Sequence, residues 1–249
     1  LGGHRPDAVI NAAAYTAVDE AEANPEQADA INHRAVGILG RLAAERNCWL
    51  VHYSSDYVFD GSGSEPFGET DPTGPINAYG RSKLAGDIAI AASGCRHLIL
   101  RTSWVHAPRG RNFVRTILDL ARKRDDLRVV SDQHGAPTSA ELIARVTALM
   151  LEEALHDDTM SGTYHVAAAG QASWHQVARH VVSEATRLGA GLRLVPAAIE
   201  PIASADYPTP AIRPRNSRLD TSKLRRTFGP TLTDWRQGVD RTVGALVAA

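Results

Sequence analysis

The residues with most chemical content are Tyr79 and Lys83, four apart in Tyr79-Gly-Arg-Ser-Lys83. On a helix that spacing puts two side chains on one face, so a phenol and an ammonium can enter the same site. A free tyrosine ionises near pH 10, roughly three units above the range where proton exchange is efficient at neutral pH. A nearby cation favours the phenolate and pulls that value down. The pair is therefore suited to give a proton to a carbonyl oxygen that becomes an alkoxide when hydride reaches its carbon. An isolated Tyr-x-x-x-Lys is common on exposed helices, and a surface helix is the ordinary reading of one.

Three neighbours strengthen the chemical reading. Tyr53-Ser-Ser-Asp-Tyr-Val-Phe-Asp-Gly61 follows the apolar run Trp49 to Val51. It places the hydroxyls of Ser54 and Ser55 and the carboxylate of Asp56 at the C-terminal end of a strand, where open α/β sheets gather their ligands. Asn11-Ala-Ala-Ala-Tyr-Thr16 ends another strand in small side chains, which would let a nucleotide approach the backbone. Tight packing of a helix on the sheet is the plain alternative. Arg101-Thr-Ser-Trp104 ends a further strand and brings an indole to the same rim.

Such tips need a scaffold, and the remaining pattern supplies one. Residues 7 to 13 read as a buried strand, as do Trp49 to Tyr53 and His97 to Arg101. Asn24-Pro25 reads as an N-cap followed by a first-turn proline. Ala28, Ile31, Ala35, Ile38 and Leu42 then mark one helical face, and Asn77 to Ala92 has helical character. Strand, helix and strand in alternation predict a parallel sheet with helical crossovers. Further on, Leu127 to Val130 reads as a strand, and Thr138 with Glu141 as a capping box for a helix to about Leu155. Ser173 with Gln176 repeats that signature, and Gly189 stops the helix. The proline-rich stretch from Pro196 to Pro214 reads as extended loop. Residues 1–105 are expected to form a dinucleotide-binding core. Residues 106–249 are expected to complete the sheet and build a smaller lobe.

The 249 residues carry 27 Lys and Arg against 28 Asp and Glu, a net charge of −1, so nothing in the composition suggests a nucleic-acid surface. Arg122-Lys-Arg124 is answered at once by Asp125-Asp126 and reads as a solvated helix end. Cys48 and Cys95, two thiols in a long chain, fit a reducing compartment better than a disulfide scaffold. No apolar run approaches the length of a bilayer span, so no membrane contact is expected and the setting reads as cytoplasmic. The ten histidines lack ligand spacing; His175 and His180, five apart, fall on different helix faces, and no metal site is expected. Glu65, Glu69 and Asp71 read as a solvated loop, and His106 as a loop surface residue. Trp174 and Trp235 read as packing residues at helix starts.

The order of these segments resembles the extended short-chain dehydrogenase/reductases, and is most similar to the dTDP-4-dehydrorhamnose reductases. Asp132-Gln-His-Gly-Ala-Pro-Thr138, Arg213-Pro-Arg-Asn-Ser-Arg-Leu219 and Lys223-Leu224 extend the similarity, which covers residues 5 to about 246. The resemblance implies an α/β fold: a Rossmann-type doubly wound parallel sheet, N-terminally incomplete, with a smaller α/β substrate lobe. It implies reduction of the C4 ketone of a nucleotide sugar by NADPH or NADH. Tyr79 would be the proton donor, Lys83 its electrostatic partner and ribose anchor, and Ser55 the group polarising the carbonyl. Ala13, Ala14, Tyr15 and Thr16 would lie along the cofactor, Asp56 and Trp104 would contact the deoxysugar, and Arg213 and Asn216 would hold the nucleotide end. A homodimer, and Mg2+ at an oligomer contact, are further implications left open. The family opens with a strand and a glycine-rich loop whose amides cradle the pyrophosphate. Gly2-Gly3 precedes a strand instead of following one and does not substitute. The expectation is that the first βα unit is missing here and that the strand at 7 to 13 faces a gap. Two other readings stand beside the reductase. One is an epimerase or dehydratase on the same fold, although elimination needs a second carboxylate where this chain has Tyr57. The other is a non-catalytic regulatory subunit.

Overall fold

The computed structural model describes residues 5–248. Gly2-Gly3, and with them the comparison to a phosphate loop, lie outside the described residues. The first half contains β1 (Ala8–Asn11), α1 (Val18–Ala23), α2 (Pro25–Asp29), α3 (Ala35–Glu45), β2 (Trp49–Ser55), α4 (Ala78–Ala91) and β3 (His97–Thr102). Next come β4 (Val105–His106), α5 (Phe113–Ala121), β5 (Leu127–Val130), β6 (His134–Gly135), β7 (Thr138–Ser139) and α6 (Ala140–Ala154). The chain closes with β8 (Gly162–His165), β9 (Ala172–Ser173), α7 (Trp174–Arg187), β10 (Ile199–Ile202), α8 (Ser222–Phe228) and α9 (Trp235–Val247).

Strands β1, β2, β3 and β8 form one sheet in that order, every pair parallel. A parallel sheet covered on both faces needs apolar residues at both parities, and β2 and β3 have them. Trp49, Val51, Leu98 and Leu100 enter the large core shared with α5, α6, α7 and α9. Leu50 and Ile99 point the other way, into a smaller core with Val36, Ala43, Ile90, Cys48 and Cys95. Both cysteines are buried free thiols. Helices on both faces make this the doubly wound Rossmann-type arrangement that the alternation predicts. The second half adds β8 to the sheet and forms the two-stranded pairs β5–β10, β4–β7 and β6–β9. Strand β1 is an edge: among the described residues only β2 pairs with it, and Ile10 is exposed. No described helix is long and apolar enough to cross a membrane.

Several local expectations are corrected. Between α2 and α3 the helix widens into a π segment, Ala30–Arg34. A π turn takes an extra residue and rotates the helix beyond it, so Ala35 and Ile38 face solvent while Val36, Gly37, Gly40 and Ala43 are buried. The cap of α6 is Ser139, whose hydroxyl accepts from Leu142 N, and not Thr138. Thr138 is held in β7 beside β4. The capping box at Ser173 and Gln176 is present with both bonds. The stretch 196–214 is not loop throughout, because Ile199–Ile202 pairs with β5.

Candidate active site

Helix α4 brings the phenol and the lysine to the C-terminal end of β2. Its N-cap is Asn77, whose Oδ1 accepts from Gly80 N at 2.8 Å while its Nδ2 donates to Ile212 O at 2.9 Å. Glu22 Oε1 accepts from the free N–H of Ala78 at 2.6 Å. Gly80 explains the glycine after the tyrosine, since a Cβ there would sit 2.2 Å from the Tyr57 carbonyl oxygen. The helix can therefore lie directly against the 3-10 turn Asp56–Val58 that follows Ser55. That contact sets the Tyr79 ring edge-on to Tyr57, centroids 5.5 Å apart, and brings the Tyr79 phenol next to the Ser55 hydroxyl.

The expected lowering of the tyrosine pKa is not found. Burial pushes Tyr79 up to about 12, and the neighbouring Ser55 only partly offsets it. The lysine is engaged elsewhere: Lys83 Nζ donates to Tyr53 O at 2.6 Å and lies 3.1 Å from His52 Nε2. Burial brings Lys83 down to about 8, with Asp87 acting in the opposite direction. Tyr79, Lys83 and Asp87 recur every four residues on one face of α4 and meet His52 and Ser54, alternate residues of β2. Asp87 Oδ2 accepts from Ser54 Oγ at 2.9 Å and from Arg101 Nε at 3.1 Å. His52, Asp87 and Arg101 thus form the floor of the site. They were missed in sequence because a histidine or acid inside an apolar run carries no motif of its own; the i, i+4, i+8 spacing from Tyr79 was the available signal.

Asp56 is buried at the rim. Its Oδ1 accepts from Ser55 Oγ at 3.1 Å, and the Ser217 hydroxyl lies nearby. Its Oδ2 has no partner among the described residues. Burial raises this carboxyl to about 7 against the effect of those hydroxyls. A raised folded-state pKa favours the protonated fold: the stability is present below about pH 4 and lost as pH rises through about 7. Asp56→Asn should therefore flatten the stability-versus-pH curve between about pH 4 and 7. Above pH 7 it should raise stability by up to about 4 kcal/mol. Urea titrations at several pH values check this, and a variant with the wild-type slope would contradict it.

Trp104 has a left-handed backbone, φ 50, a sparsely populated region for a bulky residue that costs about 1–3 kcal/mol. Its indole is fixed from both sides. Trp174 stacks on one face with centroids 3.5 Å apart, and Gly135 lies so close that a Cβ would be 2.8 Å from Trp104 Cε2. Trp174 in turn donates from Nε1 to Gln133 Oε1 at 3.1 Å. Trp174 is thus more than core packing, since it positions the rim indole.

The end of β1 is open. Ala12, Ala13 and Thr16 are exposed, and Ala14 and Tyr15 are half-buried. Asn32, in the π segment, holds this loop: its Oδ1 accepts from Tyr15 N at 2.8 Å and its Nδ2 donates to Tyr15 O at 3.0 Å. The buried Thr102 Oγ1, like Asp56 Oδ2, has no partner among the described residues. Small side chains with accessible backbone, a lysine ammonium and unmatched polar atoms on one rim fit a dinucleotide and a polar substrate.

Arg213 reaches the same region but is joined to Asp19, Nη2 to Oδ2 at 2.7 Å. It stands near enough to Tyr57 to lower that phenol's pKa against the stronger effect of burial. Asn216 departs from expectation. It is buried, its Nδ2 donates to Ser62 O and Glu65 O, and its Oδ1 accepts from Arg218. Its side chain ties down the 61–65 loop and presents no free donor to a diphosphate. His106 is also buried, bonded to Thr242 at 3.0 Å, away from the surface position expected. Glu69 and Asp71 bond backbone amides of His165 and Gly68. No three His, Cys, Asp or Glu side chains stand together as a metal cluster among the described residues, so this chain alone offers no support for Mg2+.

The family described as RmlD substrate binding domain matches residues 1–247. The chain is 47% identical to the dTDP-4-dehydrorhamnose reductase of Salmonella typhimurium, over 95% of this chain and 79% of that protein. Among solved structures, it is similar to a dTDP-4-dehydrorhamnose reductase from Clostridium acetobutylicum: TM-score 0.88, 33% identity, 98% of this chain and 82% of that one. The Bacillus anthracis dTDP-4-dehydrorhamnose reductase, solved in complex with NADP, aligns with TM-score 0.85 and 32% identity over 96% of this chain and 80% of that one. With the tyrosine, lysine and serine assembled on one rim and these similarities across nearly its whole length, the chain belongs to the dTDP-4-dehydrorhamnose reductase family.

Proposed function

We propose that this protein reduces the C4 ketone of dTDP-4-dehydro-β-L-rhamnose to dTDP-β-L-rhamnose, using NADPH or NADH, in dTDP-rhamnose biosynthesis. The observation that carries the reading is the placement of the Tyr79 phenol beside Ser55 at the end of β2, with Lys83 on the same helix face. A bound nicotinamide supplies the hydride. Everything else falls to the chain. Ser55 Oγ, when its one hydrogen turns from Asp56 Oδ1 to the substrate, orients and polarises the ketone oxygen. Tyr79, with its pKa near 12, is a phenol at neutral pH and holds the proton that the alkoxide takes. Lys83 anchors the ribose, and Ala13 to Thr16 lie along the dinucleotide. Trp104 and Asp56 contact the deoxysugar, and Arg213, through its forked donors, faces the nucleotide end. Asn216 acts indirectly by fixing the 61–65 loop. A cytoplasmic location, read from the two thiols and the short apolar runs, and a homodimer, implied by the family resemblance, complete the reading.

Oxidation of NADPH that depends on added dTDP-4-dehydrorhamnose tests the proposal; a folded, cofactor-binding protein without such turnover would favour the regulatory-subunit reading. Trp104→Ala should weaken nucleotide-sugar binding by roughly 10- to 100-fold and leave NADPH affinity nearly unchanged, as titration calorimetry would read. Equal loss of both affinities would make the indole a purely structural residue.

A further inference from the structure

Behind Lys83 the site continues into two buried side chains that the reduction does not itself use. Lys83 Nζ is 3.1 Å from His52 Nε2, and His52 Nδ1 is 3.1 Å from Asn11 Nδ2. Exposure is 1% at Lys83, 0% at His52 and 9% at Asn11, so water does not substitute for these bonds.

The direction of these hydrogen bonds is set at their far end. Asn11 Oδ1 accepts from the backbone N–H of Ala13 at 3.2 Å. The amide is thereby oriented with its Nδ2–H toward the ring, and His52 Nδ1 must accept. Burial holds His52 well below its ordinary pKa, so the ring is neutral. A neutral imidazole has one ring hydrogen, and here it sits on Nε2, facing Lys83. An ammonium has donors only and cannot bond to an N–H. The lysine nitrogen can accept that hydrogen as an amine while still donating to Tyr53 O at 2.6 Å. The other charged or titratable groups around it are Tyr79 and Asp87 on α4, and Arg101 of β3 behind Asp87. Asp87 favours the ammonium, so the histidine and the aspartate act on the lysine in opposite senses.

We propose that Asn11 and His52 are positioning residues for Lys83: Asn11 selects the imidazole tautomer, and the imidazole turns the lysine nitrogen and favours its amine form. The same bonds connect the lysine to the Ala13 amide, at the start of the rim assigned to the cofactor.

Nitrogen-15 NMR of the ligand-free protein, with His52 assigned by its loss in His52→Gln, reads the tautomer directly. The expected spectrum has a bare Nδ1 and a protonated Nε2. In Asn11→Ala the Nδ1 donor is gone, and the ring should shift toward the Nδ1–H form so that Nε2 accepts from an ammonium. The basic limb of NADPH affinity, measured by calorimetry across pH, should then rise by about 0.5 to 1 unit, the scale of one neutral hydrogen bond. A protonated Nδ1 in the wild type would overturn the proposal, and that result decides even if the variant does not fold. So would an Asn11→Ala protein whose tautomer and limb stay put, whatever its melting temperature. The affinity arm rests on reading Lys83 as the cofactor anchor; the tautomer arm uses no ligand, so the two can fail separately.

Discussion

Replacing Tyr79 with phenylalanine is expected to lower turnover by about 10²- to 10⁴-fold, the usual scale for a positioned acid, with little change in NADPH affinity. The substitution keeps the ring that packs edge-on against Tyr57 and removes only the hydroxyl beside Ser55. Steady-state kinetics with direct cofactor titration separates the two quantities, and full activity in Tyr79→Phe would end the assignment. The pH profile adds a second reading. With the phenol near 12, no tyrosine limb should fall near neutrality, and the first basic limb should lie near 8, where Lys83 loses its proton. Lys83→Met should remove that limb.

Asp87→Leu is expected to destabilise the fold by about 3–5 kcal/mol, the cost of leaving one member of a buried ion pair alone. Asp87 and Arg101 are 4% and 8% exposed, 3.1 Å apart, and Arg101 Nη1 already lacks a partner among the described residues. The loss would leave the guanidinium under the sheet without its carboxylate and Ser54 without its acceptor. Combining Asp87→Leu with Arg101→Met should recover most of the stability, because two apolar groups replace a pair that gained little over its desolvation. Urea denaturation measures both. Since Asp87 raises the lysine's pKa, its removal should also move the activity limb below 8. A single variant as stable as wild type would show that the pair is not part of what fixes α4 on the sheet.

The elements that sequence reveals most clearly here are those whose pattern is local. The apolar runs at β2 and β3, the capped start of α4 and the Ser173–Gln176 box depend on neighbours within a few residues. The π segment at 30–34 does not: nothing in Ala-Ile-Asn-His-Arg announces a widened turn, and the expected apolar face slipped with it. Tyr79, Lys83, Ser55 and Trp104 were legible because each stands in a distinctive motif at a strand or helix end. His52, Asn32, Asp87 and Trp174 were not, because each takes its meaning from a partner at least 15 residues away, such as Asn32 with Tyr15. Asn216 shows the converse. It lies in a recognisable motif, but its bonds go to the 61–65 loop, and only the folded chain shows that. The tyrosine pKa was misjudged for a related reason: the spacing places a cation on the same face, while the depth of burial and the lysine's other partners are set by β2.

Hydride transfer to the sugar ketone, with protonation by this chain, is tested most directly by one label. The protein is incubated with dTDP-4-dehydrorhamnose and NADPH deuterated at the transferable position, and the product is read by NMR and mass spectrometry. The expected product carries one deuterium, at C4 of a rhamnosyl group, and forms at a rate that collapses in Tyr79→Phe. Product without deuterium, label at another carbon, or an equal rate in Tyr79→Phe would contradict the assignment.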